Sequence, residues 1–323
     1  MRGGFVTSDP ATASPTVSVI IATYNRSQPL RHAIRSVCNS SLGDWEVIVV
    51  GDACTDDTAE VVASFDDPRI RFVNLPSRCG DMSGPHNHGL ALARGKHVAF
   101  LNHDDLYLPD HLARCVAELE ASGADLVWVP CAIAREKADP TGDWPFSFAL
   151  IGVPPTSGYS PLAVYFSSSW VFRRELADRV GPWRSPDQMS VVPSQDWLFR
   201  AWHLGAKLKF VPSVSVILVP AGGRAGSYTR RDSPEHDLLA RSLRDDPKCL
   251  ERIFEEAALN EAREHFLHHR HPPLLSLARR TLLRPVYALL ARMGIHPFSL
   301  PMALVYGRRG GFIRSLRKIT GAE

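Results

Sequence analysis

Apolar runs of strand length punctuate the first 130 residues: Val17–Thr23 (VSVIIAT), Trp45–Val50 (WEVIVV), Ile70–Asn74, Val98–Leu101 and Asp125–Pro130. Runs that do not alternate with polar residues fit strands covered on both faces. Between them the period changes. From Ser27, Leu30, Ile34 and Val37 share one helical stripe. A second helix is predicted through Ala63 with Thr55 as its N-cap, a third over Met82–Arg94 and a fourth over Pro109–Ser122. Strands alternating with helices predict βαβ units: an α/β fold with a mostly parallel sheet and helices on both faces. Further strands are expected at Ser167–Phe172, Lys207–Val211 and Val214–Val219, with a short helix after the first. Pro140–Pro161 reads as a long loop. In it, Trp144, Phe146 and Phe148 form either a sugar-stacking surface or ordinary loop anchors. Residues 235–271 read as helical, and Leu274–Met293 as a helix interrupted at Pro285. Residues 1–15 are expected to be disordered.

With 323 residues, 45% of them hydrophobic, the chain can bury a sizeable core in one large domain or two modest ones. A net charge of +3 hides an asymmetry. Residues 262–323 carry 11 Lys/Arg against two Glu, a net of +9, and the rest carry 26 against 32, a net of −6. Within that basic tail Arg279, Arg280, Arg284 and Arg292 fall on one side of an apolar helix. This pattern suits an interfacial helix on an anionic membrane, or a helix packed on the body with its arginines in water. Six cysteines without a C-x-x-C pair or zinc spacing predict reduced thiols and a cytoplasmic location, peripheral to the membrane if the tail binds it. No signal peptide, membrane span or nucleic-acid partner is expected. The H-x-x-H-H-x-H run at 265–271 lacks nearby carboxylates and reads better as a solvated face than as a metal site.

The chemistry concentrates where the strand at Val98–Leu101 ends, in Asn102-His103-Asp104-Asp105. The crevice at the C-terminal ends of strands is where open α/β sheets bind ligands. Two carboxylates there suit a hard cation that also holds substrate phosphates. The plainer alternative is a polar cap for the helix after Pro109. Neither G-x-G-x-x-G nor G-x-x-x-x-G-K-[ST] occurs, which removes the main support for dinucleotide and P-loop readings. Asp52, at the second strand's end, either accepts from a base or ribose or shapes its turn.

Four segments in order, Val17–Arg26, Val47–Thr58, Gly84–Gly89 and Phe100–Asp105, resemble the nucleotide-sugar half of family 2 inverting glycosyltransferases, over roughly residues 16–230. The resemblance implies a GT-A fold, a nucleotide-diphospho-sugar donor and a divalent metal, Mg2+ or Mn2+. It implies donor contacts at Thr23, Tyr24, Asn25, Arg26, Asp52, Asn87 and Asp104, and a metal at Asp104 and Asp105. Arg224 and Tyr228 lie in a Gly-rich loop, 220–234, expected to close over the diphosphate. Gln195-Asp196 resembles the family's second acidic motif. Asp196 is then the general base for the acceptor hydroxyl, with a helix N-cap as the alternative. Gly51, His86, Asn102 and Gln195 depart from the family pattern. The expected layout is a glycosyltransferase domain over 16–234, divided at 130 into donor and acceptor halves, and a helical basic extension over 235–323. The acceptor is expected to be a glycan or a lipid-linked molecule, in cell-surface polysaccharide or glycolipid synthesis. Two rivals are a nucleotidyltransferase, which would need a Gly- and Lys-rich phosphate loop absent from 17–26, and a binding protein without turnover.

Overall fold

The computed structural model describes residues 14–137, 144–155, 158–219, 228, 233–270, 283, 285–307 and 309–320. The first half is strand-helix repeats: β1 (Val17–Thr23), α1 (Ser27–Cys38), β2 (Trp45–Gly51), α2 (Thr58–Ala63), β3 (Ile70–Asn74), α3 (Ser83–Leu92) and β4 (His97–Phe100). Then come β5 (Asp105–Tyr107), α4 (His111–Ser122), β6 (Leu126–Trp128), β7 (Cys131–Glu136), β8 (Phe146–Ile151), β9 (Trp170–Arg173), α5 (Arg174–Val180), α6 (Pro193–His203), β10 (Leu208–Phe210) and β11 (Val216–Leu218). Helices close the chain: α7 (Pro234–Asp245), α8 (Cys249–Arg270), α9 (285–292), α10 (Ser299–Tyr306) and α11 (Gly311–Thr320).

A seven-stranded sheet runs β10-β6-β9-β4-β1-β2-β3. β9 is antiparallel to both neighbours and the other pairs are parallel. Val19 and Ile21 of β1 face the core under α1 and α4, while Ile20 faces the core under α5 and α6. Successive side chains point to opposite faces, so both faces are apolar and no alternation shows in the sequence. At the sheet's N-terminal edge, buried Glu46 accepts from the Ser18 hydroxyl at 2.7 Å, the Arg94 backbone N–H at 2.8 Å and the Arg94 and Arg71 guanidiniums. This clamp ties three strands together at the end opposite the acids.

A second sheet, β5-β11-β7-β8, was not anticipated in full. Pro140–Pro161 contains β8 rather than only a loop, paired with β7 from Cys131↔Ile151 to Glu136↔Phe146. Phe146 and Phe148 are buried in the third core, so they anchor structure and offer no sugar surface. Ser167–Ser169 is a 3-10 turn, and the strand begins only at Trp170. Thr55 caps nothing: α2 starts at Thr58, whose hydroxyl donates to Asp56 at 2.5 Å. The helix expected over 235–271 breaks after Asp245, ahead of Pro247. α7 and α8 put Leu239, Ile253 and Ala257 into the third core beside Ala132, Phe148 and Ile217. α7 and α8, placed in the extension by the expected boundary at 234, thus share a core with the residues before it. Arg224, Arg279, Arg280, Arg284 and the side chains of the His run lie outside the described residues.

Candidate active site

The acids sit where the sheet's geometry sends them. A cavity of about 340 Å³ opens at the C-terminal ends of β1, β2 and β4, lined by Thr23, Tyr24, Asp52, Arg78, Asp104 and Tyr228 among others. Thr23 is buried, and its hydroxyl has no hydrogen-bond partner among the described residues. A buried hydroxyl left so costs about 1–3 kcal/mol, and a polar ligand would recover it. The Arg78 guanidinium stacks 3.8 Å from the Tyr24 ring centroid, and Tyr24 and Tyr228 approach at 6.0 Å. Arg26 is buried beneath, 6.0 Å from the Tyr228 ring.

Asp104 and Asp105 divide. Asp105 is buried, and accepts from Ser168 Oγ at 2.5 Å, Asn102 Nδ2 at 2.8 Å and the Val219 N–H at 3.4 Å. Burial first, and then the charge of Asp104, push its carboxyl up to about 8. Its oxygens hold the loop, which leaves Asp104 the more accessible of the two expected metal ligands, although both line the cavity. Asp104 lines the cavity, and its charge acts on Asp105, His103, Tyr228 and His236. Its main chain is fixed from α7: His236 Nε2 donates to the Asp104 carbonyl at 2.9 Å, while Nδ1 accepts from Ser233 at 2.7 Å. His103 contacts the Ala22 carbonyl through Nδ1 at 3.3 Å, and burial lowers its pKa.

No group of three His, Cys, Asp or Glu side chains among the described residues is placed to hold a metal alone. Asp52, Asp81, Asp104 and Asp105 all line the cavity, and a carboxylate such as that of Asp104 fits a hard cation whose other ligands are substrate phosphates and water.

Several expected contacts fall elsewhere. Asn25, at φ 47°, turns its carbonyl to the backbone N–H of Thr55 at 2.8 Å and shapes the loop after β2. Asn87 exchanges two hydrogen bonds with the Trp183 backbone, at 2.9 and 2.8 Å, and docks α3 on the 181–184 turn. Both side chains are engaged within the protein. Asp52 spends both oxygens on a distant loop, accepting from the Cys79 and Gly80 N–H groups at 2.6 and 2.7 Å. It builds the cavity wall and shapes its own turn less than expected. His86 is a core residue between Phe100 and Trp183, at 4.4 and 4.7 Å.

Asp196 lies in the first turn of α6, four residues past the N-cap Val192, so it is no cap. Arg200 Nε holds one oxygen at 2.9 Å and Arg184 Nη1 the other at 3.3 Å. It lines a separate cavity with Arg184, His203 and His296, although Pro193, one turn earlier, lines the first.

The sequence reading missed the far wall. Ile313, Leu316, Arg317 and Thr320 of α11 line the cavity, and Thr320 O accepts from the Tyr228 N–H at 3.2 Å. Arg317 lies against Gly80, whose φ of +80° and lack of a Cβ both matter there. The local signal was the apolar-basic period of Phe312–Ile319, which tells of a face and not of its partner.

Residues 18–181 match the glycosyl transferase family 2 model. The chain belongs to glycosyl transferase family 2. The uncharacterized glycosyltransferase YwdF of Bacillus subtilis (strain 168) is 27% identical over 239 residues, covering 69% of this chain and 84% of its own. The succinoglycan biosynthesis protein ExoO of Rhizobium meliloti (strain 1021) is 36% identical over 112 residues, 35% of this chain, and the match spans only 32% of ExoO. The GalNAc(5)-diNAcBac-PP-undecaprenol beta-1,3-glucosyltransferase of Campylobacter jejuni is 38% identical over 125 residues, covering 38% of this chain and 40% of its own. The fold is that of S. aureus TarS 1-349 in complex with UDP-GlcNAc, at TM-score 0.53 and 18% identity, over 70% of this chain and 64% of that one. It is likewise that of the mannosyltransferase PcManGT from Pyrobaculum calidifontis, solved with GDP-Man and Mn2+, at TM-score 0.51 and 20% identity over 100% of this chain and 92% of that one. The family 2 glycosyltransferase fold expected from the strand-end motifs is thus the fold found.

Proposed function

We propose that this family 2 glycosyltransferase moves a sugar from a nucleoside diphosphate sugar to an acceptor hydroxyl with inversion, and depends on a divalent metal. The observation that carries the reading is Asp104, a carboxylate facing the strand-end cavity opposite the partnerless hydroxyl of Thr23. The nucleotide sugars bound by TarS and PcManGT, and Mn2+ in the latter, support the donor class. The names of the Campylobacter and Rhizobium relatives support a lipid-linked or polysaccharide acceptor. When bound, the metal neutralises the leaving diphosphate. Thr23 and Tyr24 orient the nucleoside, and Tyr228 closes the cavity above Arg26. Asp196 takes the acceptor's proton, exchanging Arg184, the more exposed and longer-held of its two partners, for the acceptor hydroxyl. Residues 16–234 supply most of the donor cavity, α11 supplies its far wall, and α7 and α8 brace it.

Calorimetry with UDP or GDP and Mn2+ tests the site. Asp104→Ala should abolish the metal-dependent part of the affinity, and Asn87→Ala should leave it unchanged while lowering stability. Equal metal-dependent affinity in wild type and Asp104→Ala rejects the metal assignment.

A further inference from the structure

We infer that α10 and the outer side of α11 form a docking surface for an anionic lipid bilayer. α10, SLPMALVY, has no charged residue and no buried one. Leu304 and Val305 are 78% and 72% exposed, Leu300 one turn earlier is exposed too, and the neighbouring segments carry the exposed Leu289 of α9, Met293 just past it and Ile319 of α11. Large apolar side chains gathered in water on one helix mark a binding face. The helix is held there by its flanks. His296, buried against Phe199 at 5.0 Å, pins the turn before it. After it, Tyr306 packs edge-on against Phe312 at 5.3 Å, Gly310 N–H donates to the Met189 carbonyl at 3.0 Å, and Arg314 pairs with Asp187 at 3.0 Å. α10 thus projects from a firmly docked corner.

Charge selects the occupant. No Asp or Glu occurs from 265 to 322, while Arg292, Arg309 and Lys318 flank the apolar residues. Apolar side chains rimmed by basic ones match the acyl boundary and headgroups of an anionic leaflet, where each Lys or Arg adds to the attraction. A second copy of this chain would face the same surface across a two-fold axis and set basic charge against basic charge.

The test is flotation of the full chain with vesicles of phosphatidylcholine alone and of equal parts phosphatidylcholine and phosphatidylglycerol. Binding is expected to the mixed vesicles and to weaken in high salt. Leu304→Glu with Val305→Glu should cut partitioning at least about ten-fold, because two largely exposed side chains lose their burial in lipid. Both positions are exposed, so circular dichroism and nucleotide affinity should not change. Wild-type binding equal to that of the double variant overturns the inference. So does a wild-type dimer by light scattering that the double variant splits while neither protein floats.

Discussion

At the residue scale, Asp196 carries the sharpest demand. Its carboxylate lies between two guanidiniums, so an acceptor hydroxyl must displace one of them to reach it. Asp196→Asn keeps the shape of the side chain and one accepting oxygen, and cannot take a proton. General base catalysis contributes about 10² to 10⁴-fold, so kcat should fall at least ~100-fold with donor KM nearly unchanged. Single-turnover release of nucleoside diphosphate measures this, and a rise confined to donor KM would reassign Asp196 to binding. The departures from the family pattern have local causes. A Cβ at Gly51 would meet Asn74 Oδ1 at 2.5 Å, and that oxygen accepts from the Cys54 N–H at 2.8 Å. Asn102 donates to Asp105, where an ionised aspartate would have no N–H to give. The residue types were legible in the sequence, but their partners were not. Asn74 is 20 residues from Cys54, and nothing in either stretch announces the pairing.

At the element scale, α7 stands behind the loop that carries Asp104. His236 donates to the Asp104 carbonyl from a buried position, so it positions the carboxylate without touching a ligand. Losing one such bond is worth about 1–1.5 kcal/mol, or roughly ten-fold in affinity. His236→Ala should therefore weaken nucleoside diphosphate binding in Mn2+ about ten-fold, and His236→Gln, which keeps a donor, should recover part of it. A melting curve lowered in both variants with unchanged affinity would make the contact merely structural. The parallel repeats were legible because β1, β2 and β4 are apolar on both faces. The β7-β8 pair was not, because Pro and Gly at its margins outweighed the alternation of Phe146, Ser147 and Phe148. The seats of α7, α8 and α11 were illegible for a different reason: a helical period reveals an apolar face, whereas its partner lies hundreds of residues away.

At the scale of the whole molecule, burial fixes the response to acid. Burial lowers His86 and His111 to about 3 and His296 to about 4, below the ordinary 6.5. As pH falls, the unfolded chain takes up these protons first, so stability is full above about pH 6.5 and is lost as pH falls toward 3–4. Burial raises Glu46, but the Arg94 N–H, the Ser18 hydroxyl and the Arg94 guanidinium outweigh it and bring its pKa below 4.5. Its contribution is present above that pH and is lost below it, the same sign as for the histidines. Asp105, raised to about 8, acts in the opposite sense, but the three histidines outweigh it, so the unfolding free energy from urea titrations should fall by an amount on the order of a few kcal/mol between about pH 7.5 and about pH 5. His86→Phe should flatten the slope, and a profile already flat in the wild type would contradict this account. The core that holds His86 has one more property. Trp170, Trp183 and Trp197 stand in a mutual stack, with centroids 5.9 to 6.2 Å apart and planes within 23° of one another. Indoles so close and so nearly parallel share their excited states. Their near-ultraviolet dichroism belongs to the trio and changes when any one tilts away. Trp183 sits on the turn clasped by Asn87, so the molecule carries an optical gauge of whether α3, β9 and α6 are seated together.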